Sequence, residues 1–298
     1  MSSYEWNIVG HGNLASILAS RLAKEQQHVR FVLRSVVAKK SVQLSVNGHT
    51  DFNGEIETYQ HASSPITARQ IWVLPLKAWQ LSEAIHEHQQ SLRDADAIIF
   101  SHNGLGAGEE AIATLGDIPL YDWVTTHGAF RQESSVKHSG CGESWIGPRN
   151  ANQQQPEFVS TLQQALPPFH WDPNIQMRRW QKLAMNCAIN PLAAGEKLLN
   201  GALLNPKYKP MIEGVCSEIA QVIAVELPQS DLNSEALVAS VYKTIEHTQE
   251  NANSMLQDIN NNRATEIDFL NGYVIKKGQE HNIPTPFNQE LFNSIKRL

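Results

Sequence analysis

Lys182, Asn186 and Asn190 recur every four residues in the otherwise apolar string Trp180-Gln181-Lys182-Leu183-Ala184-Met185-Asn186-Cys187-Ala188-Ile189-Asn190-Pro191. On a helix, residues four apart lie above one another, so an amine and two amides line one wall. The flanking Leu183, Ala184, Met185, Cys187, Ala188 and Ile189 make that helix mostly buried. Buried polar groups need protein partners or a ligand, and a ligand is a candidate for this wall. A second polar set, Asn251, Ser254 and Asp258, is spaced by three and four residues beside Met255 and Leu256, as on a helix face. Glu266 follows in the amphipathic stretch Ala264 to Leu270. Either carboxylate fits helix capping or solvation as well as chemistry.

Near the start, Gly10-His11-Gly12-Asn13-Leu14-Ala15 fits GxGxxA, directly after the apolar run Trp6 to Val9 and before a helix-like segment. A first glycine allows the tight turn, a second lets backbone N–H groups approach a pyrophosphate, and a small third residue lets helix pack on strand. The helix N-terminus adds partial positive charge. In that context the motif predicts dinucleotide binding. Specificity is set at the end of the second strand, where a carboxylate selects NAD and a cation accommodates a 2′-phosphate. Here Arg34 offers a planar fork and Ser35 a further donor, which favours NADP.

These groups must be held by two kinds of structure. Strands are predicted at Trp6 to Val9, Val29 to Leu33, Ile71 to Val73, Ala97 to Phe100 and Tyr121 to Thr126, with helices over Leu14 to Gln26 and Ala78 to Gln90. That alternation is the pattern of a doubly wound α/β sheet of Rossmann type. Val42 to Glu57 and Val136 to Ile146 read as hairpins or edge strands. Leu74-Pro75-Leu76-Lys77 and Ser101-His102-Asn103 both follow strands, at the sheet edge where ligands bind. After Trp171-Asp172-Pro173 helical periodicity takes over, at Gln176 to Asn190, Met211 to Val225, Ser234 to Gln257 and Glu266 to Glu280. Prolines at 191, 206, 228 and 284 are expected to divide these helices. The expected domains are therefore residues 1–173, binding the cofactor, and residues 174–298, all helical.

Bulk properties narrow the class. With 41% hydrophobic and 18% charged residues over 298, the chain can bury two cores and reads as soluble and globular. A net charge of -6 argues against nucleic acid as the main partner. No apolar run approaches the roughly 18 residues of a membrane span, and Met1 to Trp6 does not resemble a signal peptide, so a cytoplasmic location and no membrane partner are expected. Cys141, Cys187 and Cys216 lack CxxC spacing, which predicts core or half-buried thiols and no metal site.

Several strings, in order along nearly the whole chain, resemble those of the ketopantoate reductase family: GHGNLA from Gly10, LKAWQ from Leu76, HNGLG from His102, TTHGA from Thr125, KLAMNCAINPL from Lys182, SMLQDI from Ser254 and TEIDFLNG from Thr265. The resemblance implies NADPH-dependent reduction of 2-dehydropantoate to (R)-pantoate, on the way to pantothenate and coenzyme A. It implies Lys182 as general acid and Glu266 as the second catalytic or substrate-orienting group. Gly10, His11, Gly12, Asn13, Leu14, Ala15, Arg34 and Lys77 fall on the cofactor side, Asn103 on both sides, and Asn186, Asn190, Asn200, Asn251 and Ser254 on the substrate. The chemistry agrees, since hydride addition to a ketone leaves charge on oxygen that an ammonium can stabilise and protonate. The string after Pro191 matches less well around Asn200, and His127 fits a buried hydrogen bond better than a cofactor contact. A reductase for another 2-oxo acid, or an NADP sensor without chemistry, shares much of this pattern. A monomer or homodimer is expected.

Overall fold

The computed structural model describes residues 4–34, 37–59, 69–150 and 154–298. It forms two compact units, Met1–His102 with Gly108–Ile175, and Asn103–Ala107 with Gln176–Leu298. The short segment Asn103–Ala107 thus belongs with the second unit although its chain neighbours belong to the first.

In chain order the first unit contains β1 (Tyr4–Val9), α1 (Asn13–Lys24), β2 (His28–Val32), β3 (Lys39–Val46), β4 (His49–Tyr59), β5 (Arg69–Leu74), α2 (Leu81–Glu87), α3 (Gln89–Arg93) and β6 (Ala97–Phe100). It continues with α4 (Glu109–Ala113), β7 (Leu120–Thr125), β8 (Gly128–Gln132), β9 (Ser135–Gly140), β10 (Ser144–Pro148), α5 (Phe158–Ala165) and β11 (Phe169–Trp171). All eleven strands join one mixed sheet in the order β11-β10-β7-β6-β5-β1-β2-β4-β3-β9-β8. Its centre, β7-β6-β5-β1-β2, is parallel throughout. Every residue of β6 and β7 is buried, as expected for strands covered on both faces. The winding reverses between β1 and β5, so the carboxyl ends of these two strands flank the crevice where ligands bind in such sheets.

The sheet beyond β2 departs from the simple doubly wound pattern. β3 and β4 form a hairpin, β8 and β9 another, and α1 packs against strands of both as well as against β1 and β2. This explains why α1 is apolar around most of its girth, with Ile17, Leu18, Ala19 and Leu22 fully buried. Val136 to Ile146 is split between β9, which pairs with β3, and β10, which pairs with β7. Alternation in sequence makes both strands; long-range pairing decides where each goes. The helix expected over Ala78 to Gln90 is a 3-10 turn, Ala78–Gln80, followed by α2 and the start of α3.

The second unit has no strand among its described residues and consists of α6 (Ile175–Gly195), α7 (Lys209–Glu226), α8 (Ser234–His247), α9 (Ser254–Asn260), α10 (Asn271–Glu280) and α11 (Pro286–Lys296). Its core gathers Leu183, Cys187, Ile212, Cys216, Val241, Val274 and their neighbours. Three expectations need correction. Pro191 does not end α6, which continues to Gly195. The missing N–H of Pro191 leaves the Cys187 carbonyl without its helical donor, and Asn271 Nδ2 donates to that oxygen at 3.2 Å instead. Ser234 to Gln257 is two helices, because Asn253 turns its side chain onto the Leu256 N–H at 3.0 Å and starts α9 as a cap. Asn251 consequently lies outside that helix. Finally, Cys141 is exposed, while Cys187 and Cys216 are buried. Among the described residues no helix is long and apolar enough to cross a membrane.

Candidate active site

In the first unit the turn after β1 is built as the glycine pattern requires. Gly10 has φ +78°, a left-handed conformation that side chains disfavour, and a Cβ there would come to 3.5 Å from Leu76 Cδ2, in the loop after β5. Nothing lies within 4 Å of where a Cβ of Gly12 would stand, leaving open space in front of the turn. Ala15 is fully buried where α1 meets the sheet. Gly12 caps α1 without a side-chain hydrogen bond, and no acid occupies the first turn. The leading N–H groups of α1 therefore form a donor set suited to an anion. A dinucleotide fits this turn.

Around it, Asn13 Nδ2 donates to Ala129 O at 3.0 Å, tying β8 to the turn. Arg34, just beyond β2, is ion-paired through Nη2 to Glu83 Oε2 at 2.7 Å, with Glu87 at 3.8 Å from its Nε. Ser35 lies outside the described residues. Lys77 follows β5; its N–H donates to Gln80 Oε1 at 3.2 Å, and its ammonium stands 5.5 Å from the centre of the Trp79 ring. His127 accepts the Gly142 N–H at Nδ1, 3.1 Å, and meets His138 Nε2 at 3.0 Å, both in part-buried hydrogen bonds within the unit.

In the second unit, α6 carries Lys182, Asn186 and Asn190 on successive turns. Glu266, 4% exposed, precedes the 3-10 turn Ile267–Phe269 and accepts Asn103 Nδ2 at 2.9 Å on Oε2. Asn103 reaches it because the next residues dock in the same unit: Leu105 N donates to Phe269 O at 2.9 Å, and a Cβ on Gly104 would overlap that carbonyl. Desolvation pulls the Lys182 ammonium down to about 8, against the opposing field of the Glu266 carboxylate. Together these three residues form an ammonium, a carboxylate and a carboxamide that orients it.

The remaining candidates divide sharply. Among the described residues, the side chains of Asn186, Asn190, Asn251 and Ser254 meet no hydrogen-bond partner, although Asn190 is only 7% exposed. Asn200 is different. Its Nδ2 donates to Thr248 Oγ1 at 3.0 Å, its Oδ1 accepts from Asn253 Nδ2 at 3.1 Å, and its N–H donates to the Asn251 carbonyl at 3.1 Å. Asn200 thus ties the Asn200–Leu204 turn to the start of α9, where Ser254 sits. Asp258 pairs with Arg263 at 3.2 Å. Sequence reading missed Thr248 and Asn253; the Asn-x-x-Leu start of α9 was the available signal for the second.

The chain matches two family models, "Ketopantoate reductase PanE/ApbA" over residues 6–151 and its C-terminal counterpart over residues 174–298. It is 35% identical to 2-dehydropantoate 2-reductase of Vibrio cholerae over 294 residues, covering 98% of this chain and 96% of that one. It superposes on a D-mandelate dehydrogenase solved with NADH and anilino(oxo)acetate with a TM-score of 0.85 at 20% identity, covering 98% and 97% of the two chains. It superposes on a probable 2-dehydropantoate 2-reductase from Bacillus subtilis with a TM-score of 0.78 at 24% identity, covering 98% and 99%. At these identities the two structural likenesses are likenesses of fold.

Proposed function

The chain belongs to the ketopantoate reductase family, and on that premise we propose that it reduces the ketone of 2-dehydropantoate to the alcohol of (R)-pantoate with NADPH. The observation that carries the reading is the triplet Lys182, Glu266 and Asn103, with the Lys182 ammonium held at about 8. A proton donor works best when its pKa lies near the working pH, and Lys182 meets that condition.

When bound, the reduced nicotinamide supplies the hydride for the ketone carbon. Lys182 Nζ hydrogen-bonds the carbonyl oxygen, stabilises the charge that develops there and donates the proton that completes the alcohol. Glu266 opposes the loss of that proton before reaction and accepts a substrate hydroxyl, while Asn103 fixes the carboxylate in place. Asn186, Asn190, Asn251 and Ser254 offer free amide and hydroxyl groups to the substrate carboxylate and hydroxyl. Asn200 contributes by holding Asn251 and the start of α9. The turn from Gly10 to Ala15 carries the dinucleotide phosphates, with Lys77 beside it, and Arg34 takes the 2′-phosphate once it exchanges Glu83 for that anion. We further read residues 1–173 as the cofactor domain and residues 174–298 as the substrate domain.

A steady-state assay of NADPH oxidation with 2-dehydropantoate and a panel of other 2-oxo acids tests this. The expected result is a preference for 2-dehydropantoate and for NADPH over NADH. Faster turnover of another 2-oxo acid would reassign the substrate, and NADPH binding without turnover of any would make the protein a sensor.

A further inference from the structure

Arg131 meets the glycine turn directly and Lys40 adds to the positive field on it. Arg131, on β8, donates from Nη2 to the His11 carbonyl at 2.9 Å. Lys40, on β3, is close enough to share with Arg131 in repelling charge on His11, whose pKa is lowered first by desolvation and then by these two cations. Among the described residues no carboxylate pairs with either. Arg21, Lys24, Arg30, Arg34 and Arg69 of the same unit, by comparison, have acidic partners.

The strand that carries Arg131 is anchored beside the turn. Its strand is tied to the start of α1 by the Asn13 side chain on Ala129 O, so both ends of the contact belong to one packed assembly. A guanidinium has five N–H donors in a planar fork, and one contact to His11 leaves most of that fork available. A charge on an edge strand also discourages edge-to-edge pairing, and β8 is the last strand of the sheet. That role, however, needs no contact with the glycine turn.

We propose that Arg131, assisted by Lys40, binds the pyrophosphate of the dinucleotide from the β8 side of the turn, an inference that rests on the cofactor reading given above. The pyrophosphate is favoured over the 2′-phosphate by position: His11 lies between the two turn glycines at the head of α1, whereas the 2′-phosphate belongs at the end of β2, where Arg34 stands. The α1 N–H groups hold the anion from one side, and Arg131 adds a charge-assisted donor from another.

Binding titrations of NADPH and NADH, followed by tryptophan fluorescence, test this on the whole protein and on Arg131→Gln, Lys40→Gln, Arg131→Lys and Arg34→Gln. Arg131→Gln is expected to weaken both coenzymes by about tenfold, leaving their ratio unchanged. Lys40→Gln should do the same to a smaller extent, and Arg131→Lys should recover part of the loss. Arg34→Gln, in contrast, should weaken NADPH alone. Thermal melting of each variant separates loss of binding from loss of fold, and Arg131→Lys serves if the glutamine variant fails to fold. Unchanged affinity for both coenzymes in Arg131→Gln overturns the proposal. A loss confined to NADPH moves Arg131 to the 2′-phosphate and also overturns it. If the unaltered protein binds neither coenzyme, the cofactor reading itself fails and the proposal falls with it.

Discussion

Asn271 replaces a backbone donor that Pro191 cannot supply: its Nδ2 reaches the Cys187 carbonyl at 3.2 Å, one helical turn before the proline. Asn271 also donates to Asn288 Oδ1 at 3.0 Å, and Asn288 in turn donates to Glu218 Oε2 at 2.7 Å. Asn271 and Asn288 are fully buried, and Glu218 is nearly so. This relay lets α6 run through the proline that follows Asn190. Asn271→Ala is therefore expected to cost about 1–3 kcal/mol, the price of an orphaned buried acceptor. In a Pro191→Ala background residue 191 regains its N–H, so the same change should cost at least about 1 kcal/mol less. Urea unfolding of the four proteins measures the difference, and an equal cost in both backgrounds would contradict the exchange of donors.

Lys182→Ala is expected to lower kcat by about a hundred- to ten-thousandfold, the usual worth of a positioned general acid. NADPH affinity should survive, since the turn proposed to carry the dinucleotide lies in the other unit. Turnover within a few-fold of the unaltered protein would remove Lys182 from the role assigned to it.

The charge balance at Lys182 sets a pH limit with a definite sign. A general acid must be protonated, so kcat/KM should be full below about 8 and fall as pH rises through that value. Desolvation lowers this pKa and Glu266 raises it. Glu266→Gln removes only the raising influence, so its alkaline limb should move to lower pH, in addition to any loss of rate. A limb that stays in place or moves up would show that the carboxylate does not act on the ammonium.

Much of this was legible in the residues. The four-residue spacing of Lys182, Asn186 and Asn190 needs only helical geometry to become one wall, and the apolar runs at Trp6, Ile71 and Ala97 could be little but buried strands. What escaped were relationships between distant residues. Helix α6 outlives Pro191 because of Asn271, eighty-four positions after Cys187. Likewise, Asn200 is a free amide in sequence and an engaged one in the fold, through Thr248 and Asn253. Arg131 looks like any edge-strand charge until β8 is folded back against α1. Local pattern fixes element type; who satisfies a given carbonyl or amide is decided by packing.

Arg34 meets Glu83 while both are largely exposed, 62% and 66% by side chain, so the pair is weak and its loss cheap. If Arg34 takes the 2′-phosphate as proposed, that carboxylate competes with it for the same fork. Glu83→Gln should tighten NADPH by about two- to fivefold and leave NADH unchanged. Parallel Michaelis constants for the two coenzymes would detect this, and an equal effect on both would place the competition elsewhere.

The paired imidazoles of His127 and His138 make a prediction about acid stability. Because Gly142 N–H donates to His127 Nδ1, that ring carries its proton on Nε2, and His138 Nε2 must donate to the same Nδ1. His127, accepting at Nδ1, is thus a neutral ring. Desolvation, followed by the proximity of His138, takes His127 from 6.5 down to about 4. His138 is lowered as well, by desolvation and then Arg21, against a hydrogen bond with the Gly140 backbone and the field of Asp51. In the unfolded chain each ring takes a proton near pH 6.5, so below that value the unfolded state binds more protons than the folded one. For His127 the stability present above about 6.5 is therefore lost as pH falls toward about 4, by up to about 1.4 kcal/mol per pH unit, and the lowered pKa of His138 acts in the same direction. His127→Asn keeps an acceptor for Gly142 but cannot titrate, and should flatten the fall between pH 6.5 and 4.5. Urea unfolding at several pH values measures the slope. An undiminished slope in His127→Asn would show that the acid sensitivity comes from other groups.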